Sequence, residues 1–251
     1  GYLINLEFPS LSPVLNYCDN RALREEVYTA NCTRASELGP HAGQWDNTAL
    51  ILDTLELRTE LAKLLGFNNY AELSLATKMA DTPDSVVEFL QQLAAQSLPQ
   101  AQQEWRELQA FAREQDGLAS LESWDVSYYS EKLRQARYAV SQEDIRPYLP
   151  INRVLPGLFE VIRRLYSIDV REVDAFDSYH PSVKLYELLR HEELVARFYL
   201  DLYARAHKRG GAWMDTCRVR RESGAGLQIP VAYLVCNFTP PVGEQPALLT
   251  H

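Results

Sequence analysis

The chain has 251 residues, of which 46% are hydrophobic and 24% are charged, a composition typical of soluble globular proteins. Its formal net charge of -9 argues against a nucleic-acid-binding surface, and the tight basic cluster Arg218-Val219-Arg220-Arg221 is predicted to be the solvated end of a strand. No apolar run approaches the roughly 18 residues that a membrane-spanning helix needs. We therefore expect neither a nucleic acid nor a membrane as a partner.

The cysteines are widely spaced, form no C-x-x-C pair and follow no signal peptide. They are Cys18, Cys32, Cys217 and Cys236. This spacing favours reduced thiols packed as small apolar residues over disulfides or a metal site. We expect a cytoplasmic location.

Before Ile168, the chain has the pattern of a series of amphipathic helices. Residues 2–8 are predicted to be a short extended segment that ends at Pro9. Further along, Thr82-Pro83-Asp84 provides a cap, a first-turn proline and an early acid for a helix. Pro99 is predicted to end or kink that helix, and another helix is predicted over residues 100–114.

After Ile168 the pattern predicts strands. They are Val183–Leu188, Leu194–Leu202, Gly211–Arg220 and Gln228–Phe238, with a turn at Arg190-His191-Glu192-Glu193 and a flexible hairpin loop at Ser223-Gly224-Ala225-Gly226. The fold class is therefore mainly α with a small, mostly antiparallel β-sheet near the C-terminus (α+β). The helices are expected to cover the apolar face of that sheet. The final run, residues 246–251, is interpreted as the approach to another helix, where we expect the chain to be cut.

The sequence contains none of the common catalytic or phosphate-binding motifs, such as H-E-x-x-H, a Walker loop or G-x-S-x-G. The histidines are dispersed, and no two lie four residues apart to form a helical metal pair. They are His41, His180, His191, His207 and His251. We predict no catalytic residue and no metal ligand. Gly210-Gly211 fits either a close approach of the backbone to another molecule or a bulge or tight bend.

Several stretches resemble the thimet oligopeptidase family of zinc peptidases. They are FYLDLYARAHKRGGAWMD, PVAYLVCNF and PALLTH near the end, and LREEVYTANCTRAS, GFNNYAELSLATKMA and WDVSYYSEKLRQARY earlier. The resemblance is collinear and covers essentially the whole chain. It implies a fragment of a zincin-like, neurolysin-type helical fold, with residues 1–167 as a helical wall segment and residues 168–251 as a small β-sheet subdomain that precedes the zinc helix.

The resemblance also implies a parent zinc peptidase that cuts short peptides inside a deep channel. In that family, the zinc helix with H-E-x-x-H follows the position of His251. Because no such motif is present here, this chain is expected to bind no zinc and to be inactive alone. It is expected to supply channel wall and a strand that aligns the substrate.

Zincin sheets commonly offer an edge strand to an extended peptide. Gly211, Ala212 and Trp213 are the predicted edge, because small residues allow close backbone approach. The family's usual histidine before the two small residues appears here as Gly210 or Gly211, and Trp213 fits either core packing or a channel lining. The alternative function is a non-catalytic helical interaction module that binds a peptide or protein through an exposed sheet edge. Exposed apolar patches predict self-association of the chain.

Overall fold

The computed structural model describes residues 3–139, 141–224 and 226–250. The helices are α1 (Phe8–Tyr17), α2 (Arg21–Cys32), α3 (Thr48–Leu64), α4 (Tyr70–Leu75), α5 (Pro83–Asp116), α6 (Ser123–Tyr138), α7 (Gln142–Ile145) and α8 (Ile151–Tyr166), with a short 3-10 helix at Arg146–Tyr148. None of the helices in this described part is long and apolar enough to cross a membrane. All of them precede the strands, so the predicted order of helices followed by a sheet is confirmed.

Two prolines have a different effect from the one that the sequence predicted. Pro9 lies in the first turn of α1, where a missing N–H costs little, and so it does not end an extended segment. Helix α5 runs unbroken through Pro99. The prediction that the helix ends at Pro99 and that another begins at residue 100 is therefore wrong, and the alternative of a kink at Pro99 stays a prediction. A proline inside a helix costs about 3 kcal/mol, and the strong helix formers on both sides, mainly Ala, Gln, Leu and Glu, sustain the helix.

The start and end of α5 follow the rules for helix caps. The Thr82 hydroxyl accepts a hydrogen bond from the Ser85 amide at 3.1 Å, and Pro83 occupies the first turn. At the other end Gly117 has a left-handed φ of 67°, a conformation that glycine adopts without strain. The predicted cap at Thr82-Pro83-Asp84 is confirmed.

The strands form a mixed five-stranded sheet in the order β1-β2-β3-β7-β4 and a separate two-stranded hairpin, β5-β6. Their bounds are β1 (Asp169–Val173), β2 (Lys184–Arg190), β3 (Glu193–Tyr203), β4 (Trp213–Arg218), β5 (Arg221–Ser223), β6 (Gly226–Gln228) and β7 (Val231–Phe238). Three of the four pairings in the large sheet are antiparallel, and β3 with β7 is parallel. The predicted α+β fold class is confirmed.

The four predicted strands correspond to β2, β3, β4 and β7, and β1 was missed. The turn between β2 and β3 is as predicted, with φ of 52° at His191 and 64° at Glu192, the twist that a two-residue hairpin needs. The predicted loop at residues 223–226 instead joins the short strands β5 and β6. Ala225 lies outside the described residues.

The core of the sheet lies on the face that α8 covers. Ile151, Leu155 and Phe159 of α8 pack against that face. The strand residues of the same core cluster include Tyr186, Phe198, Leu200, Leu202, Leu234 and Cys236. The rings of Phe159 and Tyr186 meet edge to face, with their centroids 5.2 Å apart. The expected helical cover of the apolar sheet face is present on this side.

The chain forms two compact units, one being Val14–Leu133 and the other lying within Gly1–Pro13 and Arg134–His251. The predicted domain boundary between residues 167 and 168 stays a prediction. In the second unit, the Ile151 amide donates to the Ala247 carbonyl and the Leu249 amide donates to the Leu149 carbonyl, each at 2.9 Å. These bonds tie the segment after β7 to the start of α8.

The first unit contains a buried carboxylate, Asp125, that lies between two arginines. Its Oδ2 accepts from Arg21 Nη2 at 2.7 Å, and its Oδ1 accepts from Arg24 Nη2 at 2.8 Å. Arg24 is itself 1% exposed and stacks on the Tyr128 ring at 4.0 Å. Burial alone would raise the pKa of Asp125, but the hydrogen bonds from the arginines outweigh it and lower that pKa.

Replacing Asp125 with asparagine leaves the buried Arg24 guanidinium without its carboxylate. We expect Asp125→Asn to lower the free energy of unfolding by about 3 kcal/mol. Urea unfolding at neutral pH, followed by circular dichroism, measures this change. Asp53→Asn, which removes an exposed carboxylate of α3, is the matched control and should change little. Equal effects of the two variants would contradict the role of Asp125.

Candidate functional site

The predicted site residues Gly211, Ala212 and Trp213 lie together at the start of β4, the outermost strand on one side of the sheet. The strand begins at Trp213, two residues later than the sequence predicted. Gly211 and Ala212 are exposed, and Trp213 is half-buried. No other described strand pairs with the outer side of β4, although within the strand the Thr216 amide donates to the Asp215 carboxylate at 2.7 Å. An outer side without a partner strand is where another strand can add.

Gly211 has a φ of +87°, which lies in the left-handed region. A Cβ atom at this position would meet nothing within 4 Å, so it is the backbone conformation that favours glycine and not a lack of space. The resemblance implies a histidine at Gly210 or Gly211, and a residue with a side chain would be strained at 211 but not at 210. Of the two alternatives for Gly210-Gly211, the tight bend is present at Gly211, and a close approach of the backbone to another molecule stays a prediction.

The bend before β4 is held from β7. Asn237 Nδ2 donates to the Arg209 carbonyl at 2.8 Å and to the Gly211 carbonyl at 2.7 Å. Asn237 was not among the predicted site residues. A signal was present, since Asn237 is the polar residue in the otherwise apolar run Val231–Phe238.

Asp201 anchors the chain that leads from β3 to this bend. Its buried carboxylate accepts from Arg205 Nη1 at 2.7 Å and from Lys208 Nζ at 2.9 Å, and Tyr179 donates to it at 3.2 Å. Lys208 Nζ also donates to the Tyr203 carbonyl at 2.8 Å. Burial would raise the pKa of Asp201, but the hydrogen bonds from Arg205 and Lys208 outweigh it and lower that pKa to about 2. Asp201 was also not predicted, although a charged side chain in a largely apolar strand is a similar signal.

The two faces of the sheet differ beside β4. On the face shared by Trp213, tyrosine rings cluster: Tyr199 and Tyr233 stack with centroids 5.3 Å apart, and Tyr179 lies 6.5 Å from each. The opposite face carries an apolar groove of about 640 Å³ at the C-terminal end of α8. Its lining includes Ile162, Tyr166, Phe198, Met214, Ala232 and Leu234.

The described residues do not form a metal centre. No group of three or more His, Cys, Asp or Glu side chains within them is arranged to hold a metal ion. His180, for example, places its Nδ1 2.8 Å from the Ser182 hydroxyl. Catalytic zinc sites use three protein ligands, and structural zinc sites use four.

Comparison with known proteins adds a family to this geometry. The profile of peptidase family M3 matches residues 14–251. Oligopeptidase A of Haemophilus influenzae is 52% identical over 253 residues, which cover 100% of this chain and 37% of that protein. Oligopeptidase A of Escherichia coli is 53% identical over 254 residues, with the same coverages. Organellar oligopeptidase A of Arabidopsis thaliana is 42% identical over 258 residues, which cover 99% of this chain and 32% of that protein.

Loss of the Asp201 charge should weaken the sheet and alter its response to acid. Because the pKa of Asp201 falls from 3.8 to about 2 on folding, its contribution is complete above about pH 4 and is lost as the pH falls through about 2. We expect Asp201→Asn to lower the free energy of unfolding by about 3 kcal/mol at neutral pH.

Between about pH 4 and about pH 2, the free energy of unfolding should fall by roughly 2 kcal/mol less in this variant than in the wild type. Urea unfolding at a series of pH values measures both effects. Asp174→Asn, which removes an exposed carboxylate after β1, is the control. An acid response of Asp201→Asn identical to that of the wild type would refute the assignment.

Proposed function

The chain belongs to peptidase family M3, and from this premise we propose that it is a segment of a zinc metallo-oligopeptidase that hydrolyses short peptides. Its part is to supply channel wall and a strand that aligns the substrate, and it is inactive without the H-E-x-x-H helix. The chain spans 37% of the length of the bacterial oligopeptidase A relatives. We also propose that the protein works in the cytoplasm, as the spacing of its cysteines and the family resemblance suggest.

The observation that carries this proposal is the outer position of β4 in the sheet. An extended peptide adds to such an edge by main-chain hydrogen bonds, so its affinity depends little on its sequence. Gly211 and Ala212 bring no bulky side chain to the start of that edge. Trp213 then lines the channel beside the tyrosines of the same face. A strand that binds through its backbone suits an enzyme that accepts many short peptides.

The apolar groove on the other face supports the same proposal. Met214 of β4 lines it and is 73% exposed, an unusual state for a methionine beside a sheet core. The resemblance implies that the small sheet lies over the zinc helix. We propose that this groove holds the apolar side of that helix in the whole enzyme.

A bound peptide should protect β4 without being cleaved. We expect the 251-residue chain to leave a quenched fluorescent peptide of about ten residues intact, with or without added zinc, once circular dichroism shows that the chain is folded. The same peptide should slow amide exchange in β4, measured by mass spectrometry, because the free backbone groups become paired.

Strand β1, at the opposite edge of the sheet, is the internal control for exchange. Zinc-dependent cleavage would show that the chain holds a complete catalytic site. Protection of β1 in place of β4 would overturn the assigned edge. Tight binding of a folded protein partner, with no effect of short peptides, would favour the interaction module instead.

We further propose that the chain self-associates through α3 (Thr48–Leu64). Its large apolar side chains are exposed, including Leu52 at 62%, Leu57 at 63% and Leu64 at 83%. Contiguous exposed apolar surface of this kind marks an interaction site. We propose that, in the whole protein, this helix is covered by regions that correspond to the part of the bacterial relatives outside the 37% that this chain matches.

Charged residues on α3 should therefore reduce self-association. We expect the double substitution Leu57→Glu and Leu64→Glu to shift the chain toward a monomer in size-exclusion chromatography with light scattering. The double substitution Thr54→Glu and Thr59→Glu adds the same charge to the same helix but removes no large apolar side chain, and so is the matched control. A wild-type chain that is monomeric at every concentration would refute the proposal.

A further inference from the structure

Asn237 connects β7 to the backbone that leads into β4. Its single amide nitrogen lies 2.8 Å from the Arg209 carbonyl oxygen and 2.7 Å from the Gly211 carbonyl oxygen. Both partners can only accept, and the amide nitrogen has two hydrogens, so both are used. The same argument fixes the orientation of the amide, because its oxygen could bond to neither carbonyl.

The two carbonyls flank Gly210. Among the described residues, no other side chain donates a hydrogen bond to the backbone of residues 209–212. Upstream, Lys208 and Asp201 already tie the chain to β3. Downstream, the ladder to β7 begins at Trp213. Between these two supports, the stretch 209–212 contains two adjacent glycines, and glycine has the greatest conformational freedom of any residue. Without Asn237, this stretch would sample many backbone conformations.

We propose that Asn237 is the positioning residue of the substrate-aligning edge. It holds the carbonyls of 209 and 211 so that the bend at Gly211 leads in a single conformation into the edge of β4, which begins at Trp213. A peptide then meets a preformed edge and does not bear the entropic cost of ordering it. This inference rests on the proposed function, because it assumes that an extended peptide adds to β4.

A second amide at the far end of β4 provides a matched control. Gln228 Nε2 donates to the Val219 carbonyl at 2.9 Å, just after β4 ends at Arg218. Both Asn237 and Gln228 are side-chain amides that bond to backbone carbonyls flanking the same strand. Asn237 supports the glycine-containing end and Gln228 supports the end without adjacent glycines, so a specific positioning role predicts unequal effects.

The test compares the wild-type chain with Asn237→Asp, Asn237→Ala and Gln228→Ala. Asn237→Asp keeps the shape of the side chain but replaces its two donors with an acceptor, and Asn237→Ala removes the group. The probe is a fluorescein-labelled, extended peptide of about ten residues, titrated by fluorescence anisotropy. Amide exchange of residues 209–218 is measured on the same samples, with and without the peptide, and urea unfolding reports the stability of each variant.

We expect both Asn237 variants to bind the peptide about tenfold more weakly than the wild type, the loss that about 1.4 kcal/mol produces. Their unliganded amides at 211–213 should exchange faster, while amides in β2 and β3 keep their wild-type rates. Gln228→Ala should bind as the wild type does. If exchange in β2 and β3 also accelerates, Asn237 supports the fold and not the edge, and the inference is wrong.

The failure of this inference differs from the failure of the proposed function. If the wild-type chain binds the peptide and protects β4, but the Asn237 variants bind equally well, then only the positioning role is overturned. Equal weakening by Gln228→Ala and Asn237→Ala also overturns it, because any loosening of β4 would then suffice. If the wild-type chain shows no protection of β4, the aligning strand itself is overturned, and the role of Asn237 with it.

Discussion

The parallel pairing of β3 with β7 decides the arrangement of the whole sheet, because it places β7 between two strands that are consecutive in the chain. Arg197 lies opposite Val231, and Leu200 lies opposite Leu234. Neighbouring strands lie about 4.8 Å apart, so the connection from β3 to β4 spans two strand spacings. The ladder bonds of β4 within the described sheet go to β7. No described strand pairs with the outer side of β4.

An exposed edge invites unwanted pairing with other chains, and β4 limits this hazard by its length and composition. It has six residues, and Asp215 and Arg218 place charges along it. Its pairing with β7 is irregular between Thr216 and Arg218, so regular geometry is confined to the stretch from Trp213 to Thr216. The short extended peptide that we propose as its partner fits such an edge, whereas a long strand from another chain would not find a continuous ladder.

The sequence predicted the elements whose signals are local. Alternation of apolar residues located β2, β3, β4 and β7, and the cap at Thr82 located the start of α5. Pro99 was misjudged because the cost of one proline is smaller than the summed propensity of a helix of 34 residues. Strand β1 was missed because it has five residues and is mostly exposed. Its sequence shows no clear alternation of apolar residues, and its pairing with β2 is what defines it as a strand.

The candidate site was likewise predicted only in part, and the register of β7 explains why. Small residues marked Gly211 and Ala212, but the position of Asn237 beside them depends on β7 lying between β3 and β4. Side chains alternate between the faces of a strand, so a slip of β7 by one residue would turn Asn237 to the opposite face and bring Cys236 in its place. The carbonyls of Arg209 and Gly211 would then lose their donor. The pairing that exposes the edge is therefore the same pairing that holds it in shape, and neither can be inferred from β4 alone.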